Sequence, residues 1–296
     1  MRRRQIELPK SRLAIWARRI ALFSLAATLI AVIIVRSGAL EIVPALSTLG
    51  VALALAVVAM LLALAAGAVI WRDGASGIRE AISAVLIGLA LIAYPLYLGI
   101  KGYRLPAIYD ITTDPIDPPR FEAIARLRPR DANPITYAGL YTAEQQHAAY
   151  SDIEPDDTTA TPQDAFTAAM KVITKRKWHI VDARPPQQAV APPPRVFGAR
   201  LQDNVAHDGI IEAVARTPIL GFRDDVVVRV RPTSDGARID VRSASRYGRH
   251  DLGTNAARVR DLISDIDDVL AAPQPVAPEK KPLPAKTPPK GAQVRR

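Results

Sequence analysis

The chain has 296 residues, a formal net charge of +10 and no cysteine. The lack of cysteine excludes disulfide bonds, thiolate catalysis and thiolate metal sites. Basic residues outnumber acidic ones by ten to four in residues 1–100 and by six to one in residues 271–296, whereas residues 101–270 carry twenty-three basic and twenty-four acidic side chains. The folded part is therefore close to neutral, and we expect no nucleic-acid partner.

Three uncharged apolar runs occupy the first hundred residues, at 20–35, 42–71 and 81–100. An α-helix rises about 1.5 Å per residue, so roughly twenty residues cross a hydrocarbon layer of about 30 Å. With their flanks the runs predict transmembrane helices over about 13–35, 46–70 and 81–100. Because none of the runs contains Asp, Glu, Lys, Arg or His, they favour an anchor over a transport pathway.

The basic N-terminus indicates the orientation. Seven Lys and Arg residues but only Glu7 precede residue 20, which by the positive-inside rule predicts a cytoplasmic N-terminus over residues 1–12. Three crossings then place residues 101–296 in the periplasm or outside, in an integral protein of a bacterial inner membrane with lipid as one partner. The alternative for the first run is a cleaved signal peptide with Ser37, Gly38 and Ala39 at the cleavage site, which leaves the domain on the same side.

The region after the membrane helices predicts a soluble α+β domain. Residues 103–157 are interrupted by prolines and fit one short helix near 119–127. Thr161, Pro162 and Asp164 form a helix-start signal for a helix that continues to about Lys175. Apolar residues three or four apart predict a last helix at 255–270. Period-two alternation predicts about four antiparallel strands, at 178–183, 210–217, 225–231 and 238–246.

The alternation also assigns the two faces of this sheet. We expect both helices to cover the apolar face, which is lined by Val226, Val228, Val230, Ile239 and Val241. The other face should show charged side chains, namely Arg229, Arg231, Arg238, Asp240, Arg242 and Arg246. Two proline-rich stretches complete the chain: residues 184–208, predicted to be a surface excursion, and residues 271–296, predicted to be a disordered Pro/Lys-rich tail.

Several motifs carry a family resemblance. They are Gly221-Phe222-Arg223-Asp224-Asp225, residues 242–248, Asp251-Leu252-Gly253 followed by Asn255 and Arg258, residues 109–114, and Asn133-Pro134. Together they resemble the uncharacterised family known as domain of unknown function 1499, over roughly residues 107–270. The resemblance implies a fold and a membrane or envelope setting, and it brings no established reaction.

The charged and polar residues of these motifs have two interpretations. The set comprises Asp224, Asp225, Arg242, Ser243, Ser245, Arg246, Asp251, Asn255 and Arg258. The favoured interpretation is structural, because Arg pairs bidentately with carboxylates and Asp251 or Asn255 can cap a helix. The alternative is an anion site built from Arg242, Arg246 and Arg249 beside a helix start. Ser243 and Ser245 would be further donors of this site, but strand alternation argues against it, because they face away from Arg242 and Arg246.

The sequence carries little sign of catalysis. The four histidines lack metal-ligand spacing, and glycines form no phosphate loop. We therefore expect no catalytic, cofactor or metal site. The first hypothesis is an envelope protein whose outward domain is a binding or structural module for a protein, a lipid or an anionic polymer. For the basic tail, a solvated disordered end is the favoured interpretation and a tether to anionic polymers or lipid is the alternative. The alternative is a domain that handles lipid or small anionic ligands, and a hydrolase is the third. The oligomeric state stays open.

Overall fold

The computed structural model describes residues 9–38, 42–187 and 207–272. Its first part consists of three helices, α1 (Arg12–Ser37), α2 (Ile42–Asp73) and α3 (Ile78–Arg104). All three are long and apolar enough to cross a membrane, which is consistent with a membrane protein. They extend the predicted spans by a few residues at most ends, because helix geometry continues into the polar flanks that hydropathy does not count.

Small side chains hold the three helices together. Buried alanines follow one face of α2 at alternating spacings of four and three residues, namely Ala52, Ala56, Ala59, Ala63 and Ala66. They allow close backbone approach, and Ser24 Oγ of α1 donates to Ala52 O at 2.7 Å. Gly67 is not part of this face, because a Cβ at Gly67 would meet nothing within 4 Å.

The two ends of the helix bundle differ. At one end Ser11 N donates to Ser76 O at 2.8 Å and Ser76 N donates to Pro9 O at 3.1 Å, which joins the N-terminal segment to the α2–α3 turn. At the other end the domain contacts the bundle: Arg36 in the last turn of α1 donates to Ile219 O at 3.3 Å, and His250 Nε2 lies 2.9 Å from Gly102 O. Arg36 and His250 therefore connect the domain to α1 and α3.

The described part of the domain contains a six-stranded antiparallel sheet in the order β1-β6-β5-β4-β3, with β2 also paired to β6. The strands are β1 (Asp110–Thr112), β2 (Asp156–Thr158), β3 (His179–Arg184), β4 (Gly209–Arg216), β5 (Arg223–Pro232) and β6 (Ala237–Ser245). The four predicted strands correspond to β3–β6. The prediction missed β1 and β2, because three residues are too few to reveal a period of two.

Four helices accompany the sheet: α4 (Ala123–Leu127), α5 (Leu140–Ala149), α6 (Pro162–Lys175) and α7 (Thr254–Ala271). The start of α6 forms as its sequence predicts, since Thr161 Oγ1 accepts from Asp164 N at 3.2 Å. The prediction missed α5, which has only a weak apolar stripe and buries Thr142 and Gln146. Gln146 pairs with β1, because its side chain exchanges hydrogen bonds with both backbone groups of Thr112.

The two faces of the sheet are both covered. On one face α6 and α7 pack on the predicted valines and isoleucines, including Val228 and Val241. The opposite face was expected to show its charges, but the segment between β1 and α5 lies over it, and Phe121 and Ile124 pack on Val227. Arg229, Asp240, Arg242 and Arg246 are consequently buried. Most of the proline-rich excursion (188–206) and the predicted tail from residue 273 onward lie outside the described residues.

Candidate functional site

The motif residues divide between the two faces of the sheet. In the register of β5 and β6, Asp224 pairs with Ser245 and Val226 with Ser243, on the face covered by α7. Asp225, Arg242 and Arg246 point to the opposite face, as alternation predicts. The set is therefore two separate clusters, and the serines cannot join the arginines in one anion site.

The cluster under α7 is a continuous hydrogen-bonded chain centred on Asn255, which is fully buried. Asn255 Nδ2 donates to Ser245 Oγ at 3.0 Å and to Tyr109 O at 2.9 Å. Its Oδ1 accepts from Ser243 Oγ at 2.8 Å and from Arg258. The Arg258 guanidinium also donates to Ser243 Oγ at 2.9 Å and to Asp224 Oδ2 at 2.5 Å. Each capacity of the amide is used, so the chain fixes α7 on β6.

Asp251 caps the helix that carries Asn255 and Arg258. Its two carboxylate oxygens accept from Gly253 N at 2.9 Å and from Asn255 N at 2.8 Å, so both engage backbone groups that the helix leaves unpaired. Burial raises the pKa of Asp251, and these two hydrogen bonds oppose the rise. The N-cap position itself is Gly253, and the Asp251 side chain reaches these amides from two residues before it.

On the opposite face, Arg242 and Asp110 form a buried bidentate pair. Arg242 Nε and Nη2 donate to the two oxygens of Asp110 at 2.9 and 2.7 Å. Arg242 also donates to the backbone oxygens of Pro119 and Ile135, and its guanidinium lies 4.8 Å from the centre of the Phe121 ring. Burial raises the pKa of Asp110, an effect that Arg242 opposes. The pair joins β1 and β6 to the segment that covers this face.

Asp225 has two arginine neighbours. Arg246 donates to Asp225 Oδ1 through Nε at 2.9 Å and through Nη2 at 2.7 Å. Arg128 Nε lies 2.7 Å from Asp225 Oδ2 as an ion pair without hydrogen-bond alignment. Asn133, of the Asn133-Pro134 motif, donates to Ser245 O at 3.0 Å near this cluster. Burial raises the pKa of Asp225, and both arginines oppose this rise. The carboxylate is thus enclosed by cations and is not placed beside a free base.

Two further charged sets lie on this face: sequence reasoning missed Glu212, and it placed Asp240 and its arginines on the face without expecting their burial or pairing. Glu212 is fully buried in β4 and accepts from three backbone amides at 2.9 Å, which hold the first turn of α4. The only available signal was an acid within an apolar strand. Asp240 is also fully buried and lies within 3.1 Å of three guanidiniums. The remaining members of that network are Arg229, Arg231, Arg238, Asp114 and Asp117.

The histidines do not assemble a metal site. His250 accepts from Leu252 N at 3.0 Å through Nδ1 and contacts the backbone of α3 through Nε2. Among the described residues, no group of three or more His, Asp or Glu side chains could hold a metal ion.

A groove lies where the domain meets the nearest turns of the three helices, and we name it the junction groove. It consists of two adjoining cavities, of about 500 and 410 Å³, which share four lining residues. The first cavity, the arginine compartment, is lined by Arg36, Arg216, Arg223 and Arg246 and by one described acid, Asp131. The shared residues are Ile42, Phe222, Arg223 and Tyr247.

The second cavity, the apolar compartment, is lined mainly by hydrophobic and aromatic side chains. Leu46 of α2 and Tyr97 of α3 face Ile219 and Leu220, which belong to the β4–β5 turn. Sequence reasoning did not find this groove. Arg223 and Tyr247 occur in the family motifs, but Arg36 and Arg216 lie far from those motifs along the chain.

Comparison with known proteins agrees with the motifs. A model of the family described as "Protein of unknown function (DUF1499)" matches residues 110–266, which is more than half of the chain. Searches among curated proteins and among solved structures find no match. The matched residues run from Asp110 of β1 to Ile266 of α7, so they contain the complete described sheet and both motif clusters. The chain belongs to this family of unknown function, and three helices that are long and apolar enough to span a membrane precede the family domain.

Proposed function

We propose that this chain is a membrane-anchored envelope protein of the bacterial inner membrane, with its N-terminus in the cytoplasm and its family domain on the outer side. The orientation is supported by charge. Lys10, Arg12, Arg72 and Arg79 lie around the bundle end opposite to the domain, and Arg2, Arg3 and Arg4 precede them in the sequence. Cationic flanks remain on the cytoplasmic side of a membrane.

The domain acts as a binding module in this proposal. One observation supports this role above the others: buried arginines and carboxylates neutralise each other within the fold, whereas Arg216 and Arg223 line an accessible groove without any side-chain ion pair or hydrogen bond among the described residues. Unpaired arginines in a concave surface are suited to hold an anionic partner. The same observation favours the second candidate function, in which the domain handles a lipid or a small anionic ligand. It favours less a domain that binds an envelope protein or an anionic polymer.

The motif clusters serve the structure in this proposal. Asp225 could act as a catalytic carboxylate only if its ion pairs with Arg246 and Arg128 were broken. Full-length protein should therefore turn over no member of a panel of ester, phosphate and peptide substrates. Turnover by the unmodified protein that Asp225→Asn abolishes, under conditions in which circular dichroism shows that the variant is still folded, would overturn the binding role in favour of a hydrolase.

The orientation has a direct test in living cells. Alkaline phosphatase fused after Arg296 should be active, and a fluorescent protein that folds only in the cytoplasm should be dark at the same position. The matched fusion places each reporter in the turn after Asp73, where the activities should be reversed. A dark phosphatase and a bright fluorescent protein after Arg296 would refute the proposed topology.

A further inference from the structure

We infer that the junction groove binds one anionic phospholipid of the surrounding bilayer, with its phosphate in the arginine compartment and part of an acyl chain in the apolar compartment. The inference rests on the proposed binding role and deepens it by naming the ligand class. It does not depend on which side of the membrane the domain occupies.

The charges of the arginine compartment are not balanced by the described protein. Arg246 is neutralised by Asp225. Arg36 donates its described hydrogen bonds to the backbone oxygens of Pro218 and Ile219, which carry no formal charge. Arg216 and Arg223 have no described side-chain partner.

The only described acid that lines this compartment is Asp131, and its contact with the Tyr247 hydroxyl is long, at 3.5 Å. The compartment therefore carries excess positive charge.

The backbone brings the two unpaired arginines together. Arg216 and Arg223 are directly paired residues at the ends of β4 and β5, and cross-strand neighbours have Cβ atoms about 4.5–5.5 Å apart. Like charges directly opposite each other destabilise a sheet. Both side chains are exposed, so an anion from outside can reach them and reduce their repulsion. Guanidinium groups bind phosphate through two parallel hydrogen bonds, so a single phosphate fits this pair better than a monovalent halide does.

The depth of the groove identifies the anion as part of a lipid. Arg36 lies in the last turn of α1, and Ile42 and Leu46 lie in the first turns of α2. Tyr94 and Tyr97 lie near the domain end of α3, with ring centroids 6.5 Å apart. Tyrosine and arginine at helix ends occupy the head-group region of a bilayer. The arginine compartment is therefore at the level of lipid phosphates.

The apolar compartment explains why a free anion is not the intended ligand. Its wall is predominantly apolar and adjoins the arginine compartment through shared side chains, including Phe222 and Tyr247. Phosphate or a sugar phosphate would leave this surface in contact with water. An acyl chain buries it at about 25 cal/mol per Å² of apolar surface. One amphipathic molecule therefore satisfies both compartments.

The test measures lipid retention by the full-length protein. Protein in neutral detergent is incubated with phosphatidylglycerol, phosphatidylcholine or inorganic phosphate, and bound molecules are counted by native mass spectrometry. The variant Arg216→Gln/Arg223→Gln removes the unpaired cations. The matched control, Arg126→Gln/Lys171→Gln, removes two exposed charges outside the groove.

We expect one phosphatidylglycerol per chain, with an affinity at least about tenfold higher than for phosphatidylcholine. The groove variant should lose about tenfold or more in affinity for phosphatidylglycerol, because charge-assisted hydrogen bonds are lost, and the control should lose none. Retention that is equal for the two lipids, or equal in both variants, would overturn the inference. Displacement of the lipid by millimolar phosphate alone would also overturn it, since the site would then be a simple anion site.

The results distinguish a failure of the lipid inference from a failure of the proposed function. If the groove variant fails to fold, the lipid preference of the unmodified protein still decides the inference. A failed lipid test beside an active phosphatase fusion after Arg296 would remove the lipid and leave the outward binding module. A preference for phosphatidylglycerol beside a cytoplasmic domain would keep the lipid site and remove the proposed orientation.

Discussion

Loss of the Arg242 guanidinium should destabilise the domain more than the loss of any exposed arginine. Arg242 is 2% exposed and Asp110 is 1% exposed. Four hydrogen bonds of 2.7–3.0 Å leave the Arg242 guanidinium, two to Asp110 and two to backbone oxygens. Removal of one partner of a buried ion pair costs about 3–5 kcal/mol, because the other charge stays buried and unpaired. We therefore expect Arg242→Met to lower the free energy of unfolding by about 3–5 kcal/mol at pH 7.

A matched control isolates the effect of burial. Arg260 pairs with Asp152 through two hydrogen bonds, but these side chains are 41% and 57% exposed. Exposed pairs contribute about 0–1 kcal/mol, so Arg260→Met should cost little. The double variant Arg242→Met/Asp110→Leu should cost less than the sum of its single changes, with a coupling of about 1–3 kcal/mol, because it leaves no orphaned charge.

The assay is urea unfolding of the full-length protein in detergent micelles. Trp178 reports on the domain core when Trp16 and Trp71, which lie on membrane helices, are replaced by Phe. The destabilisation by Arg242→Met should be larger at pH 8 than at pH 5. Burial raises the pKa of Asp110 and Arg242 opposes that rise, so removal of Arg242 raises this pKa further. A carboxyl group whose folded-state pKa is raised makes the folded protein less stable as the pH increases above the unfolded-state pKa. Equal losses for Arg242→Met and Arg260→Met, or fully additive changes in the double variant, would refute the reasoning.

Three further predictions concern other positions. Burial and the neighbouring Asp267 raise the pKa of Asp156 to about 6. Asp156→Asn should therefore raise the unfolding free energy at pH 7 by about 1 kcal/mol after solvent screening. This gain should vanish below about pH 4, and the exposed control Asp157→Asn should show no gain. Asp251→Ala should cost about 1–2 kcal/mol in urea unfolding by uncapping α7, and an unchanged midpoint would contradict that role. Gly236→Ala should lower the thermal unfolding midpoint, because its Cβ would lie 2.1 Å from a backbone oxygen of β2; an unchanged midpoint would show that β2 can move away.

The hydrogen bonds of the motif residues under α7 are sufficient to give these residues a role in the fold. The chain Asp224, Arg258, Ser243, Asn255 and Ser245 is complete within itself, and its members come from β5, β6 and α7. A fully satisfied buried network specifies one arrangement of helix on sheet, because any other arrangement leaves polar groups unpaired. The lipid proposal leaves these hydrogen bonds in place, although Asp224 and Ser245 also line the apolar compartment of the junction groove.

Local patterns in the sequence determined most of the secondary structure. The three apolar runs, the Thr161 cap of α6 and the alternation in β3–β6 each depend on residues that are close along the chain, so their spacing alone predicts them. The separation of Asp224 from Asp225 onto opposite faces follows from the same period of two. The prediction failed for β1, β2 and α5, which are short or lack a clear apolar period.

Only the tertiary structure decided which charges meet. Arg242 and Asp110 are 132 residues apart, and Arg229 and Asp117 are 112 apart. No local spacing encodes such pairs, because their geometry is set by strand order and by the segment that covers the second face. The junction groove has the same origin: Arg36 comes from the first helix and Arg223 from β5. Sequence thus determined three apolar helices long enough to span a membrane and an α+β domain, while the fold decided which arginines form ion pairs in the interior and which line the groove.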